Sequence, residues 1–304
     1  MSAAGRTRQT VARVVRRNLH GVLLLDKPHG CSSNDALHQA KRHLNAKKAG
    51  HTGTLDPLAT GLLPLCFGEA TKFSHDLLHA DKTYLASIQL GVTRAGGDLE
   101  GEILQERSLR HDAAGLAQVL ARFTGQITQM PPMHSALKKD GVALYTLARQ
   151  GIEVERSPRR VMVHQLDLLL DGGDRLEICV RVSKGTYIRT LAEDIGEALG
   201  CGAHLLALRR TAVGPLQLQD GVTLDHLKSV VDGAQLLLPV DALVQDVPGI
   251  CLSEIEAQRV LQGQRLAWSG PEQGTVRMMG LNRFLGLAQI DAGRLQPVRI
   301  LNFD

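Results

Sequence analysis

Residues 49–57 read AGHTGTLDP, and no other stretch constrains the fold as tightly. Two glycines and a proline in nine residues oppose continuation of either helix or strand. The segment is therefore expected to be a loop between packed elements. Asp56 stands directly before Pro57, which biases its backbone away from the helical region. Gly53 and Gly61 allow the backbone to approach another molecule closely. A carboxylate on such a loop can serve as nucleophile or general base. An isolated Asp-Pro pair is more often only a turn, so the loop alone names no reaction.

The flanking pattern supplies the packed elements. Residues 21–26 are an apolar run that reads as a first strand and stops at Lys27-Pro28-His29-Gly30. Ser32 and Asp35 stand in capping-box spacing, and Ala36, Leu37, Ala40 and Leu44 form one apolar helical face. Residues 62–67 read as a strand, 70–79 as a helix, 82–92 as a strand and 109–123 as a helix. Residues 126–152 are irregular and read as an inserted lobe. Residues 159–170 and 175–183 are strands around the turn DGGD, followed by an amphipathic helix over 187–199 that Gly200 stops. Residues 204–213 form a further strand. After a short helical connection near 222–245, a helix over 253–262 and strands near 275–279, 284–290 and 296–301 suggest a small β-rich second domain.

Charge matters at one end only. The net charge is +4, yet residues 1–25 hold Arg6, Arg8, Arg13, Arg16 and Arg17 and no acid. Without those five arginines the 35 basic residues fall to 30, against 31 acidic ones. A basic N-terminal arm, residues 1–18, suits a phosphate backbone and equally suits a solvated tail. No apolar run approaches the roughly 18 residues that span a bilayer, and no signal-peptide core is present. The five cysteines form no Cys-x-x-Cys pair, which excludes a disulfide framework or a zinc site as the simplest reading and favours reduced thiols in a cytoplasmic protein. No histidine pair has the helical zinc-protease context, so no metal is inferred. A phosphate-loop nucleotide hydrolase is excluded by the lack of any Gly-x-x-x-x-Gly-Lys-Ser/Thr match.

Aromatics make up 3% of the chain, so its three tyrosines merit individual placement. Tyr84 lies in a strand and offers either a flat face for a nucleobase or core packing. Residues 184–190, KGTYIRT, set Tyr187 and Arg189 near a helix N-terminus, where the dipole favours anions; Arg189 is either accommodated there by a carboxylate or phosphate or is a surface arginine on the polar helix face, and Tyr187 is equally an ordinary core-edge aromatic.

Six segments together resemble the TruB family of tRNA pseudouridine synthases. They are GVLLLDKPHGCSSNDAL (21–37), AGHTGTLDPLATGLLPLCFGEATKF (49–73), DKTY (81–84), MPPMHSALKKDGVALYTLARQGIEV (130–154), SKGTYIRTLAEDIGEALGCGAHL (183–205) and LRRTAVG (208–214). The resemblance covers roughly residues 19–230. It implies an α+β pseudouridine synthase fold: a mixed, mainly antiparallel sheet with flanking helices, a thumb-like insertion at about 126–152, and a catalytic domain over 19–247. A PUA-like RNA-binding domain is expected over 248–304. The implied activity is isomerisation of uridine 55 in the T-loop of tRNA to pseudouridine, by base flipping, glycosidic cleavage and C–C bond formation. The partner is the tRNA T-arm stem-loop and the expected state is a monomer; neither cofactor nor metal is required.

By motif, Asp56 is the candidate nucleophile or base and Arg189 its ionic partner, an opposite charge that favours the ionised carboxylate. Tyr84 stacks on the flipped base, Tyr187 forms the floor and assists proton removal, and Leu208 lines the uracil pocket. His51 fills the space the base leaves, and Lys27 with Pro28 supports the substrate pocket. Lys138, Lys139 and Arg149, in the thumb-like insertion, either meet phosphate or stay solvated. Where the family often reads Thr-Asp-Thr after Gly91 and then an aspartate, this chain has Arg94 and Ala95 before Asp98, which puts the loop there and its RNA contacts in question. A tRNA-binding module without catalysis is the competing expectation.

Overall fold

The computed structural model describes residues 15–109, 111–135 and 137–303. The expected basic arm falls mostly outside them. Arg17, its last arginine, is not a free cation: its guanidinium meets Asp232 at 2.9 Å, and its backbone bonds to Asn45 and Lys47.

A ten-stranded sheet organises the chain. Its order is Val222–Thr223, Gly21–Lys27, Thr60–Phe67, Ala203–Val213, Lys82–Leu90, Arg175–Val182, Arg159–Asp171 and Gly125–Gln129, with two short strands paired at the side. Pairing is antiparallel except between Gly21–Lys27 and Val222–Thr223, and between Thr60–Phe67 and Ala203–Val213. The mixed, mainly antiparallel sheet is thus observed.

The two halves of the sheet are covered differently. Val22 and Leu24 face one core with Leu62 and Cys66, while Leu23 and Leu25 face another with Leu63 and Leu65. Burial on both faces explains why residues 22–25 form an unbroken apolar run rather than an alternating one. In the other half, Ile88, Leu176, Ile178 and Val180 pack under Leu191 and Ile195 of the helix Ile188–Ala198. Arg175 and Arg181, pointing the opposite way, stay exposed.

The halves meet where Thr60–Phe67 runs beside Ala203–Val213. Only Arg209↔Thr60 and Arg210↔Gly61 pair there. Beyond Thr60 the chain leaves the sheet and forms the loop that carries Asp56. Gly61 makes this junction possible. Its φ is +99°, and a Cβ at that position would lie 2.3 Å from the carbonyl oxygen of Arg210. Gly61→Ala should therefore destabilise the fold by about 2–4 kcal/mol. Urea denaturation measures this, and an unchanged midpoint would contradict the packing described.

Several local expectations need correction. Residues 49–51 are a short strand, Ala49–His51, paired with Thr60–Phe67 through backbone groups; side-chain pattern carries little signal over three residues. Helix 70–79 is a 3-10 segment Gly68–Phe73 followed by Ser74–Leu78. Helix 109–123 begins at Ala113, because the Asp112 side chain caps it through the Gly115 N–H. The insertion 126–152 is not irregular throughout. Gly125–Gln129 is the sheet's edge strand, and the hairpin Lys138–Lys139/Val142–Ala143 leads into the helix Leu144–Ala148.

The C-terminal segment forms a five-stranded sheet with the helix Glu254–Leu261, which opens on a reciprocal capping box between Ser253 and Glu256. Phe284, Leu287 and Leu301 join the core of Phe73, Leu77, Val240 and Leu243, so the β-rich unit is packed against the large sheet. Among the described residues no helix is long and apolar enough to cross a membrane.

Candidate active site

Asp56 opens into a cavity of about 980 Å³. Three contacts fix its loop from below. The buried Ser33 hydroxyl accepts from the Leu55 N–H at 2.8 Å and donates to the Leu55 carbonyl at 3.0 Å. The Gly30 N–H donates to the Pro57 carbonyl at 2.9 Å. The Lys27 ammonium donates to the carbonyls of Pro28, Cys31 and Pro57. Lys27 has no exposed surface. An ammonium that donates to three backbone carbonyls holds the loop that carries Asp56.

Arg189 enters from the first turn of Ile188–Ala198 and is 6% exposed. Its Nη2 lies 3.1 Å from Asp56 Oδ2 and donates to the His134 carbonyl at 2.7 Å. Its Nη1 lies 3.4 Å from Asp98 Oδ2 and donates to the Gly96 carbonyl at 3.1 Å. The guanidinium is held by four partners from three segments, two of them carboxylates. The Asp56 side chain remains 45% exposed, whereas that of Asp98 is 10% exposed. Arg189 and Asp98 thus form the buried part of the cluster, and Asp56, lining the cavity, is its half-exposed part.

His51 also lines the cavity, with Nδ1 buried and unbonded among the described residues. Burial, and then the nearby Arg210 charge, lower its affinity for a proton, which favours the neutral ring. Tyr84, Tyr187, Leu208 and Lys27 are not in the cavity wall. Tyr84 and Leu208 each pack against the cores on both sides of the seam, directly where the sheet halves meet. Tyr187 is the N-cap of the Arg189 helix: its N–H donates to Gln129 Oε1 at 3.1 Å, and Gln129 Nε2 donates to its carbonyl at 3.2 Å.

Sequence reading missed Ser33, Asp98 and Gln129 as site residues. Ser33 sat inside a helix-start signal, and Asp98 stood in a loop judged only by its departures. Gln129 carried no signal, because its function depends on an edge strand meeting a helix end far along the chain. Asp98→Asn should slow catalysis by roughly 10–100-fold with binding unchanged, since one charge-assisted contact to Arg189 is lost. Single-turnover rates and ligand affinity measured together test this; parental rates would contradict it.

Behind Arg189, a second cavity of about 510 Å³ includes Met130, Met133, Glu193 and Asp194 in its wall. Burial, assisted by the Asp194 charge, pushes the Glu193 carboxyl up to about 7, and burial pushes Asp194 up to about 6. A proton held more tightly in the folded chain adds stability below the unfolded value. For Glu193 that contribution is present below about 4.5 and is lost as pH rises through about 7. Glu193→Gln should flatten the decline in urea midpoint between about pH 5 and 8. Parallel pH profiles for parent and variant would contradict the assignment.

Among the described residues, no cluster of three or more His, Cys, Asp or Glu side chains is arranged to hold a metal. Family models match three consecutive regions: the TruB family pseudouridylate synthase N-terminal domain over 41–188, the tRNA pseudouridylate synthase B C-terminal domain over 189–245, and the pseudouridine synthase II TruB C-terminal region over 248–301. The chain is 57% identical over 303 residues to tRNA pseudouridine synthase B of Cupriavidus pinatubonensis, covering 95% of this chain and 96% of that protein. It belongs to the TruB family of pseudouridine synthases. It is therefore an isomerase. The namesake enzyme of Cupriavidus metallidurans is 56% identical, with 95% of this chain and 96% of that one covered. The fold extends further: a chain of an H/ACA ribonucleoprotein bound to a substrate RNA containing 2′-deoxyuridine is 26% identical with a TM-score of 0.72, covering 94% of this chain and 86% of that one. In this TruB-family chain the Asp56–Arg189 pair lines the cavity of about 980 Å³.

Proposed function

We propose that this enzyme converts uridine 55 in the tRNA T-loop to pseudouridine, with Asp56 as the catalytic group. The observation that carries the reading is a half-exposed carboxylate, held against a buried guanidinium, in the wall of a cavity large enough for an everted nucleotide. The target base is stacked inside a loop, so it must leave the stack to reach Asp56. Asp56 then attacks the ribose anomeric carbon or removes a sugar proton to start elimination; in either route the N1–C1′ bond breaks. The base turns, C5 bonds to C1′ as the Asp56–C1′ bond breaks or, in the elimination route, as Asp56 returns the sugar proton, and then the C5 proton is released and N1 takes one up. Redox state and composition do not change, so the scheme needs neither cofactor nor metal.

Tyr84, Tyr187 and Leu208 lie outside the cavity wall and are assigned to the uracil by their place in the family motifs: Tyr84 stacking, Tyr187 assisting proton removal at C5, and Leu208 lining the base at the seam. His51, neutral and in the cavity wall, is assigned the gap the base leaves. Residues 19–247 are assigned to catalysis and 248–304 to a PUA-like RNA-binding module, acting as a monomer in the cytoplasm. The test is a synthetic T-arm hairpin. Pseudouridine should form at the position of uridine 55 alone, and a hairpin with cytidine there should yield none. Modification elsewhere in the hairpin, or no conversion of an intact T-arm, would overturn the assignment.

A further inference from the structure

The cavity around Asp56 has a charge imbalance that its substrate must overcome. Four carboxylates line it, from Asp56, Asp98, Glu100 and Glu102, against two guanidiniums, from Arg149 and Arg189. Arg189 already faces Asp56 and Asp98 and donates to two carbonyls. A nucleotide entering this cavity brings phosphodiesters into a wall with an excess of negative charge. Among the described residues, Arg149 is the lining guanidinium that meets no carboxylate.

Its setting suits a waiting anion ligand. Arg149 ends the helix Leu144–Ala148, where a cation is favoured by the backbone dipole. Leu144, only 4% exposed, anchors that helix. The guanidinium lies 5.7 Å from the centre of the Tyr145 ring, which also lines the cavity and orients the fork without neutralising it. Beside them, Ser135 is 5% exposed and its hydroxyl has no partner among the described residues. A buried hydroxyl without a partner is costly, and an oxygen-rich ligand supplies one. Lys138 and Lys139, the other candidate cations of the insertion, are exposed on a two-residue strand and do not reach the cavity wall.

We propose that Arg149 is the phosphate ligand of the target nucleotide, gripping one of the two phosphodiesters that flank the uridine while Asp56 addresses its sugar. This inference rests on the reading of the cavity as the uridine site. A planar fork binds two phosphate oxygens at once, which an ammonium cannot do.

The experiment measures affinity for three T-arm hairpins: unmodified, and with a neutral methylphosphonate on the 5′ or the 3′ side of the target uridine. The parent should bind one methylphosphonate hairpin roughly tenfold more weakly than the unmodified one. Arg149→Gln should bind the unmodified hairpin about tenfold more weakly, with the salt dependence reduced by about one counterion, and should lose nothing more on that methylphosphonate. Arg149→Lys should recover part of the affinity, whereas Lys138→Gln should leave the methylphosphonate penalty intact. Equal penalties for parent and Arg149→Gln on both neutral linkages, or no loss of affinity in Arg149→Gln, would overturn the proposal. Conversion of the unmodified hairpin by the parent is scored separately: its absence refutes the uridine-site reading, while the binding comparison still decides whether Arg149 meets phosphate.

Discussion

Arg189→Met should cost about 3–5 kcal/mol of stability, because it leaves the buried Asp98 carboxylate facing an apolar side chain. The Asp56 side chain, 45% exposed, contributes less to that loss because water compensates its charge. Catalysis should fall by about 10²–10³-fold in single turnover, as fixed positive charge beside the reacting carboxylate disappears. Pairing the change with Asp98→Asn separates the two effects. The double variant should regain much of the stability in urea and none of the rate. Arg189→Lys should resemble the methionine variant in rate, since one ammonium cannot replace a fork that meets two carboxylates and two carbonyls. Stability unchanged in Arg189→Met would mean that the contacts at 3.1 and 3.4 Å carry no energy.

Asp56→Asn should lower the single-turnover rate by about 10⁴-fold or more, with hairpin affinity within about threefold of the parent. The side chains are nearly isosteric, so the cavity, the loop clamps at Leu55 and Pro57 and the Arg189 position are preserved. What disappears is the negative charge and the basic oxygen. Asp56→Glu keeps both but advances the carboxylate by one methylene beyond Arg189, and a misplacement of about 1 Å costs about 10²-fold. The expected order of rates is therefore Asp56, then Glu, then Asn. Stability should change little in either variant because the side chain is half-exposed.

Much of this was legible in the chain itself. The helix carrying Arg189 showed its apolar face at Ile188, Leu191 and Ile195 and its stop at Gly200, and it is observed at Ile188–Ala198. The hairpin around Asp171-Gly172-Gly173-Asp174 followed from turn chemistry alone. Asp56 stood out because glycine and proline punctuate its loop. What stayed hidden depends on long-range geometry. The bond between Ser33 and Leu55 spans 22 residues, and that between Gln129 and Tyr187 spans 58. Asp98 approaches Arg189 only because its loop folds over the helix start, where Gly97 takes φ +77° against the Glu193 carboxyl. No local period encodes such meetings. Nor does composition disclose that Lys27 is fully buried, since a lysine beside a turn ordinarily projects into water.

The central claim concerns the chemistry of one carboxylate, and proton loss from C5 of the uracil reports on it directly. A T-arm hairpin carrying tritium at C5 of the target uridine is mixed with excess enzyme, and the label released to water is followed. The parent should release one tritium per hairpin, and Asp56→Asn, bound to the same extent, should release none over the same interval. Release by Asp56→Asn at the parental rate would contradict the account.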